Sequence, residues 1–240
     1  MLKWAIPEYC LPRDVIQKEV EAVKDLGVEI LTGTPIDSKN FLEKLKLEDW
    51  DALFLATGAQ ESKKIDVQGL PEKEIHWGLD FLREAKERQQ KELKGKIVVI
   101  GGGNVAMDVA MTALRLGASG VEVDCLECRE EMPAFSWEIK QAEKEGVIIH
   151  PGWGPVRIET EGTQIKGVEF QACTSVFDKE GNFCPSFDSA QRKSLEVDGV
   201  ILAVGQSVDL TYLPSELRIQ QTEQGMKKST TYSDRTRSPL

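Results

Sequence analysis

A glycine-rich turn in the middle of the chain has the spacing of a dinucleotide-binding site. Gly101, Gly103 and Ala106 fit the pattern G-x-G-x-x-G/A, directly after a β-branched run, Lys96–Ile100. In such a turn the first glycine permits the bend, the second lets a pyrophosphate reach the backbone, and the third small residue lets the following helix pack closely. A plain tight turn is the alternative, but a helical pattern and a second strand at 121–126 supply the required context. The predicted nucleotide contacts are Gly101, Gly102, Gly103, Asn104, Val105 and Ala106.

An acidic residue follows at the distance expected of a ribose ligand. Glu127 closes the second predicted strand about 20 residues after Ala106, where a carboxylate accepts hydrogen bonds from the adenosine ribose. Because a carboxylate repels a 2′-phosphate, we predict a preference for NADH over NADPH. Arg129 is the nearby residue that favours NADPH. The alternative interpretation of Glu127 is a solvated charge at the end of a strand.

The sequence evidence for redox, metal-binding or catalytic side chains is weaker. Cys125 and Cys128 form a C-x-x-C pair, a possible redox dithiol or half of a metal site, but Cys125 lies within a predicted strand and no second pair follows. The only histidines, His76 and His150, are far apart in sequence, so no metal site is predicted. Asp108 is either a partner of the helix dipole or a neighbour of the nicotinamide. No side chain stands out as an acid, a base or a nucleophile, so no catalytic side chain is predicted.

Composition limits the class of protein. The 240 residues carry a formal net charge of −10, and the basic residues are scattered, which argues against nucleic acid or an anionic membrane surface as a partner. No apolar run approaches the ~20 residues that span a bilayer. The five cysteines are irregularly spaced and the N-terminus lacks a signal pattern, so we expect a cytoplasmic protein.

Periodicity predicts an α/β arrangement around the glycine turn. Helices are predicted at 14–27, 40–47, 78–93 and 135–145, and strands at 28–32, 51–59, 96–100, 121–126 and 147–150. Further strands at 156–161, 165–172 and 194–202 alternate with hairpin signals and predict an antiparallel β appendix. Residues 220–240 are polar and unpatterned, and we expect them to be poorly ordered.

Several short motifs occur together in one order along the chain. They are Ile6-Pro7 with Leu11-Pro12, Ala56-Thr57-Gly58, Gly101–Asp108, Glu131-Met132-Pro133 and Ala203-Val204-Gly205-Gln206. This set resembles the flavin and nicotinamide portion of glutamate synthase small subunits and dihydropyrimidine dehydrogenases, within the pyridine nucleotide-disulfide oxidoreductase superfamily. In that family a nicotinamide domain is inserted into an FAD domain. Hydride passes from NAD(P)H to the flavin, then to iron–sulfur centres or a partner subunit.

The resemblance implies a fold and a set of cofactor contacts. It implies a Rossmann-like nicotinamide domain at 78–198, inserted in a partial FAD-binding α/β domain at 1–77 and 199–219. The implied cofactors are NAD, with NADP second, and FAD; the implied partner is a subunit or a fused iron–sulfur electron-transfer domain. The residues implied to contact the cofactors outside the glycine turn are Ile6, Pro7, Ile36, Thr57, Gly58, Ala203, Val204 and Gly205.

Two departures from the family pattern predict an incomplete flavin site. The family's FAD domain opens with a glycine fingerprint of its own and closes with a Gly-Asp motif, and neither occurs in this sequence. Ala5 and Cys10 stand where family members usually have Gly and Arg. Three functions therefore stay open: a pyridine nucleotide:flavin oxidoreductase module, a non-catalytic NAD-binding module, and a disulfide reductase that uses Cys125 and Cys128.

Overall fold

The structure is a computed structural model that describes residues 2–45, 50, 53–71, 75–87 and 92–213. The predicted tail at 220–240, and parts of the segments predicted at 40–47, 51–59 and 78–93, lie outside the described residues. The helices are α1 (Arg13–Asp25), α2 (Phe41–Leu45), α3 (Gly78–Lys86), α4 (Asn104–Arg115) and α5 (Ser136–Lys144). The strands are β1 (Glu61–Ser62), β2 (His76–Trp77), β3 (Lys96–Ile100), β4 (Gly120–Cys125), β5 (Ile148–Pro151), β6 (Trp153–Glu161), β7 (Gln164–Phe177), β8 (Phe183–Glu196), β9 (Gly199–Leu202) and β10 (Gln206–Ser207).

A parallel sheet of five strands, in the order β2-β9-β3-β4-β5, forms the centre of the described chain. Its central strand β3 is apolar on both faces because both faces are covered. Ile97 and Val99 pack against α3, α4 and α5, whereas Val98 and Ile100 pack against the antiparallel sheet β6-β7-β8. This two-sided burial holds the end of β3, and therefore the glycine turn, rigidly in place.

The antiparallel sheet docks on the parallel sheet through charged as well as apolar residues. Asp124 on β4 is fully buried and forms an ion pair with Lys193 on β8. The Lys193 ammonium also lies 4.9 Å from the ring centroid of Trp153 and 5.2 Å from that of Phe170. Burial raises the pKa of Asp124, so the neighbouring cation is what allows a charged carboxylate at this position.

The helices and strands predicted around the glycine turn are confirmed, but the strands predicted at 28–32 and 51–59 are wrong for the residues described there. Residues 28–32 and 53–59 have no strand pairing, and Leu31 and Phe54 are 69% and 89% exposed. Helix α1 forms as predicted, yet none of its residues is buried. These segments carry apolar sequence without a neighbouring strand in the described chain to pair with, and an unpaired strand is not stable alone.

The strand predicted at 194–202 is two strands in different sheets. The break falls at Asp198, whose carboxylate accepts a hydrogen bond from the Lys96 amide at 2.8 Å. Strand β9 then lies between β2 and β3 in the five-stranded parallel sheet. Most of β8 was missed because its side chains are largely exposed and show no apolar alternation.

Candidate dinucleotide and flavin site

The first glycine of the turn is required by its close neighbours. The amide of Gly101 donates a 2.8 Å hydrogen bond to the Asp124 carbonyl, and its φ is +140°. A methyl group on Gly101 would overlap the carbonyl oxygen of Ala203, at the end of β9. Gly101 therefore brings the ends of β3, β4 and β9 together, which only a residue without a side chain can do.

Gly103, the second glycine of the fingerprint, faces open space instead. Gly103 is the N-cap of α4, and a methyl group there would meet nothing within 4 Å. The first amides of α4 have no carbonyl partner within the helix, and no acidic residue occupies its first turn. Asn104 and Val105 begin the helix, and Ala106 is fully buried against the sheet. This open, electropositive backbone suits a pyrophosphate.

Glu127 lies beside this turn, as the sequence predicts for a ribose ligand. Its carboxylate oxygen Oε2 is 2.7 Å from the point that a Cβ on Gly102 would occupy. Its backbone carbonyl accepts a 2.9 Å hydrogen bond from the Gly152 amide, which holds the end of β4 against the end of β5. Arg129, the residue that argues for NADPH, pairs at 2.7 Å with Glu143 on α5.

The C-x-x-C pair is not arranged for dithiol chemistry. Cys125 is buried under the glycine turn, and burial together with the charge of Glu127 raises the pKa of its thiol to about 12. Cys128 is exposed, and its pKa is raised as well. A redox dithiol needs a thiol whose pKa is lowered, so this geometry argues against the disulfide reductase.

One group of possible metal ligands occurs in the described residues. Oxygen and nitrogen atoms of Glu122, Asp124 and His150 come within 4.8 Å of one another. Lys96 pairs with Glu122, and Lys193 pairs with Asp124. The two ammonium groups already balance the two carboxylates, so the cluster serves as a structural ion network between the sheets.

A second cleft of about 760 Å³ lies at the same edge of the parallel sheet. Three of the residues that the resemblance implies for flavin binding, Ile36, Thr57 and Gly58, line this cleft. The Thr57 hydroxyl is 3.2 Å from the hydroxyl of Tyr212, whose ring stacks on Phe41 at 6.2 Å. The cleft residues that sequence reasoning missed include Lys64, Trp77, Asp80, Arg83 and Asp209, which come together only through the fold.

The remaining implied contacts divide into two groups. Ile6 and Pro7 are not among the cleft residues: the Ile6 carbonyl accepts a 2.7 Å hydrogen bond from Lys86, and Pro7 is buried. The segment Ala203-Val204-Gly205 instead lies between the two sites. It reaches the glycine turn through Ala203, and the Gly205 carbonyl accepts a 2.9 Å hydrogen bond from Lys63, next to the cleft residues Ser62 and Lys64.

Asp108 contacts the N-terminal loop. Its carboxylate accepts a weak 3.9 Å hydrogen bond from the Cys10 thiol, and the Tyr9 ring lies 3.6 Å from the Arg115 guanidinium. Burial, followed by the nearby charge of Glu138, raises the pKa of Asp108 to about 7. Asp108 and Arg115 of α4 thus contact Cys10 and Tyr9 of the N-terminal loop, and neither sequence interpretation of Asp108 included this contact.

A glycine turn after a central parallel strand, an acidic residue after the next strand and a second cleft at the same edge define a Rossmann-type dinucleotide-binding protein. The chain belongs to the pyridine nucleotide-disulphide oxidoreductase family, whose pattern it matches over residues 5–236. Members of this family are flavin-dependent oxidoreductases that use FAD and NAD(P)H, which confirms the resemblance found in the sequence.

Similar proteins include subunits of larger enzymes. The chain is 37% identical to the NADP(+)-dependent formate dehydrogenase subunit beta of Moorella thermoacetica, over 91% of this chain and 31% of that protein. It is 36% identical to the NADPH-Fe(3+) oxidoreductase subunit beta of Geobacter sulfurreducens, over 93% and 34%. It is 28% identical to the glutamate synthase [NADPH] small chain of Escherichia coli, over 85% and 46%. The chain thus spans about a third of the length of the first two relatives.

Solved structures support the same fold. FprA from Mycobacterium tuberculosis matches with a TM-score of 0.69 at 15% identity, over 88% of this chain and 62% of that chain.

Within the described part of the chain, the helices are too short or too polar to cross a membrane.

Proposed function

We propose that this chain is a pyridine nucleotide:flavin oxidoreductase module. It binds NAD(P)H at the glycine turn, aligns the nicotinamide with FAD in the adjoining cleft, and delivers the electrons to a partner subunit or an iron–sulfur domain. The observation that carries the proposal is the position of Ala203-Val204-Gly205, which contacts the turn at one end and the border of the cleft at the other. Two cofactor sites joined by one short backbone segment suit direct hydride transfer.

The residues present fit the nucleotide. The open backbone at Gly103 leaves room for a pyrophosphate, and the carboxylate of Glu127 is placed for a ribose. Ala203 lies against both Gly101 and Gly78, so the backbone there can approach a flat ring closely. The protein's role is to hold the ring in one orientation and exclude water from it.

The residues present fit the ring end of FAD better than its pyrophosphate. Thr57, Gly58 and Trp77 line a cleft whose size is typical of small-molecule sites. FAD, when bound, accepts a hydride and releases electrons one at a time. The sequence contains a single glycine fingerprint, at Gly101–Ala106, and it belongs to the nicotinamide sheet.

We further propose that NADH is preferred over NADPH, and this rests on Glu127 alone. Its carboxylate stands beside the turn, and Arg129 is paired with Glu143. The relatives named above carry NADP(+) or NADPH in their names, so they do not favour this preference. The two nucleotides must therefore be compared directly on this chain.

Titration of the purified chain with NADH and with NADPH, followed by nicotinamide fluorescence, tests the nucleotide site. Gly103→Val should abolish binding, because its side chain fills the space that the pyrophosphate needs, while the fold is retained since no neighbour is displaced. Gly120→Val is the matched control, because Gly120 also has room for a side chain but begins β4, away from the turn. Unchanged nucleotide affinity in a folded Gly103→Val variant would show that the glycine turn does not bind the pyrophosphate.

The second candidate is a module that binds the nucleotide without turnover. The single glycine fingerprint favours it, because a flavin pyrophosphate would lack a backbone cradle of that type. Reduction of added FAD or of an artificial dye by NADH distinguishes the two functions. Turnover that depends on added FAD supports the oxidoreductase module, and NADH binding without turnover supports the second candidate.

A further inference from the structure

The long hairpin of β7 and β8 bends halfway along its length. Gln171 pairs with Arg192, but the next residue, Ala172, pairs with Asp188, so residues 189–191 bulge out of β8. The Asp188 carboxylate stabilises the bulge by accepting hydrogen bonds from the Ala190 amide at 2.9 Å and the Gln191 side chain at 2.8 Å. Such bulges redirect a strand, and they are frequent next to active sites.

Beyond the bulge, the hairpin is tied to the end of the strand that carries Glu127. The Cys173 amide donates a 2.8 Å hydrogen bond to the Gly152 carbonyl, and the Gly152 amide donates a 2.9 Å hydrogen bond to the Glu127 carbonyl. Burial and the charge of Glu127 both raise the pKa of the Cys173 thiol, which places that carboxylate near the hairpin. The far half of the hairpin therefore borders the candidate ribose site.

Phe187 occupies this border. It pairs with Cys173 across the hairpin, and its ring atom Cε1 is 2.5 Å from the point that a Cβ on Gly154 would occupy. A methyl carbon of Leu126 lies 2.8 Å from the same point, so the ring and Leu126 converge over Gly154. Phe187 is still 40% exposed, which leaves an apolar surface open to solvent beside Leu126, the residue before Glu127.

We propose that Phe187 is a nucleotide-binding residue on which the adenine of NAD(P)H stacks. The inference rests on the proposed function, because it adds a contact to the same nucleotide site. A carboxylate that holds the adenosine ribose fixes the attached adenine within one sugar's width of Glu127. The ring of Phe187 converges over Gly154 with Leu126, the residue next to Glu127, and aromatic rings are sequence-tolerant platforms for bases. Because Gly154 has no side chain, the ring of Phe187 can lie directly against its backbone.

The other exposed aromatic residues of the hairpin do not share this position. Phe177 and Phe183 pack edge to face at its tip, with ring centroids 6.3 Å apart. Phe183 lies 5.7 Å from the ammonium of Lys63, near Gly205 rather than Glu127. Phe177→Ala is therefore a matched control that removes another exposed phenylalanine ring, on a residue that is 52% exposed, from the same hairpin.

The test is titration of the full chain with whichever of NADH and NADPH binds more tightly, with the matching ADP-ribose, and with reduced nicotinamide mononucleotide. Phe187→Ala should weaken binding of the dinucleotide and of the ADP-ribose by roughly tenfold. The mononucleotide lacks adenine, so its affinity should not change. Phe187→Tyr should restore wild-type binding, and Phe177→Ala should match wild type with every probe.

Phe187→Leu keeps an apolar side chain over Gly154 without the ring, and it is used if Phe187→Ala fails to fold. Wild-type affinity for the ADP-ribose in either folded variant would overturn the proposal, and so would an equal loss for all three probes. A wild-type chain that binds neither NADH nor NADPH would instead overturn the proposed nucleotide site itself.

Discussion

Gly101 and Gly103 belong to one turn but depend on different surroundings. Gly101 has a positive φ and no room for a side chain because the Ala203 carbonyl lies against it. Gly103 has ordinary backbone geometry and open space around it, so the fold does not require glycine there, and the open space is what we propose for the pyrophosphate. The same distinction separates Glu127, beside the turn, from Arg129, which is engaged with Glu143.

At Glu127 we predict that wild type binds NADH more tightly than NADPH, because the carboxylate accepts ribose hydrogen bonds and repels a 2′-phosphate. The difference should be about 1–3 kcal/mol, as for hydrogen bonds to charged groups. Glu127→Arg should reverse the preference, and Glu127→Gln should reduce it. Calorimetric titration of both nucleotides checks this prediction, and tighter NADPH binding by wild type would refute it.

At Asp108 we predict a pH-dependent stability. Folding raises the pKa of this carboxyl from its usual 3.8 to about 7, so the folded state binds the proton more tightly than the unfolded state. Stability from this group is therefore fully present below the unfolded pKa and falls as the pH rises towards 7. The loss should be on the order of 2 kcal/mol, with Glu138 and Arg115 also facing the group.

Urea denaturation at about pH 5 and about pH 8 measures this loss. Asp108→Asn cannot ionise, so the fall in stability between the two pH values should shrink. Asp14→Asn, at an exposed position on α1, is the control that should keep the wild-type pH dependence. An identical fall in wild type and Asp108→Asn would contradict the prediction.

At the scale of elements, the antiparallel sheet β6-β7-β8 packs on the parallel sheet across β3 and β4. Apolar side chains such as Val98 and Phe170 fill most of this interface. The charged pair Asp124 and Lys193 is also placed there, directly below the glycine turn whose Gly101 amide binds the Asp124 carbonyl. The pair therefore couples the position of β8 to the strand end that shapes the nucleotide site.

We predict that Lys193→Met destabilises the protein by about 3–5 kcal/mol, because it leaves the buried Asp124 carboxylate without a cation. The double variant Asp124→Val with Lys193→Met should recover most of this loss, since an apolar pair needs no charge balance. Urea denaturation of the three proteins gives the free energies of unfolding. A Lys193→Met variant as stable as wild type would show that the pair is not needed.

At the scale of the whole molecule, the described chain has one well-packed half and one exposed half. The five-stranded parallel sheet is covered on both faces, whereas α1 has no buried residue and Leu31 and Phe54 are largely exposed. The cleft that we propose for FAD is lined partly by the exposed half, including Leu53, Phe54 and Leu55. An exposed apolar surface of this kind favours association with another chain or domain.

We predict that this chain alone retains FAD weakly and shows little NADH-dependent dye reduction. Its single glycine fingerprint serves the nicotinamide site, so the flavin pyrophosphate lacks a cradle of that kind. Reconstitution with excess FAD, gel filtration and measurement of the flavin absorbance check this. Stoichiometric FAD after gel filtration, with sustained turnover, would contradict the prediction; binding of NADH in the same sample is the control for a folded chain.

Local sequence determined the glycine turn, β3, α4 and the position of Glu127 after β4, and in the structure the Glu127 carboxylate lies beside the turn. This part was predictable because its physics is local: side chains alternate across a strand, repeat every 3.6 residues on a helix, and small residues permit tight turns. The resemblance, rather than local pattern, implied flavin contacts at Ile36, Thr57 and Gly58, and these three residues line one cleft.

Only the tertiary structure decided the features that depend on contacts between distant segments. Strand β9 enters the sheet between β2 and β3, Lys193 reaches Asp124, and Phe187 covers Gly154. None of these has a local signature: β9 pairs with strands far away in sequence, and Lys193 and Phe187 lie on a largely exposed strand but contact distant residues. The predicted strand at 28–32 is not formed for the same reason: a strand exists through its neighbours, and a sequence segment alone does not specify them.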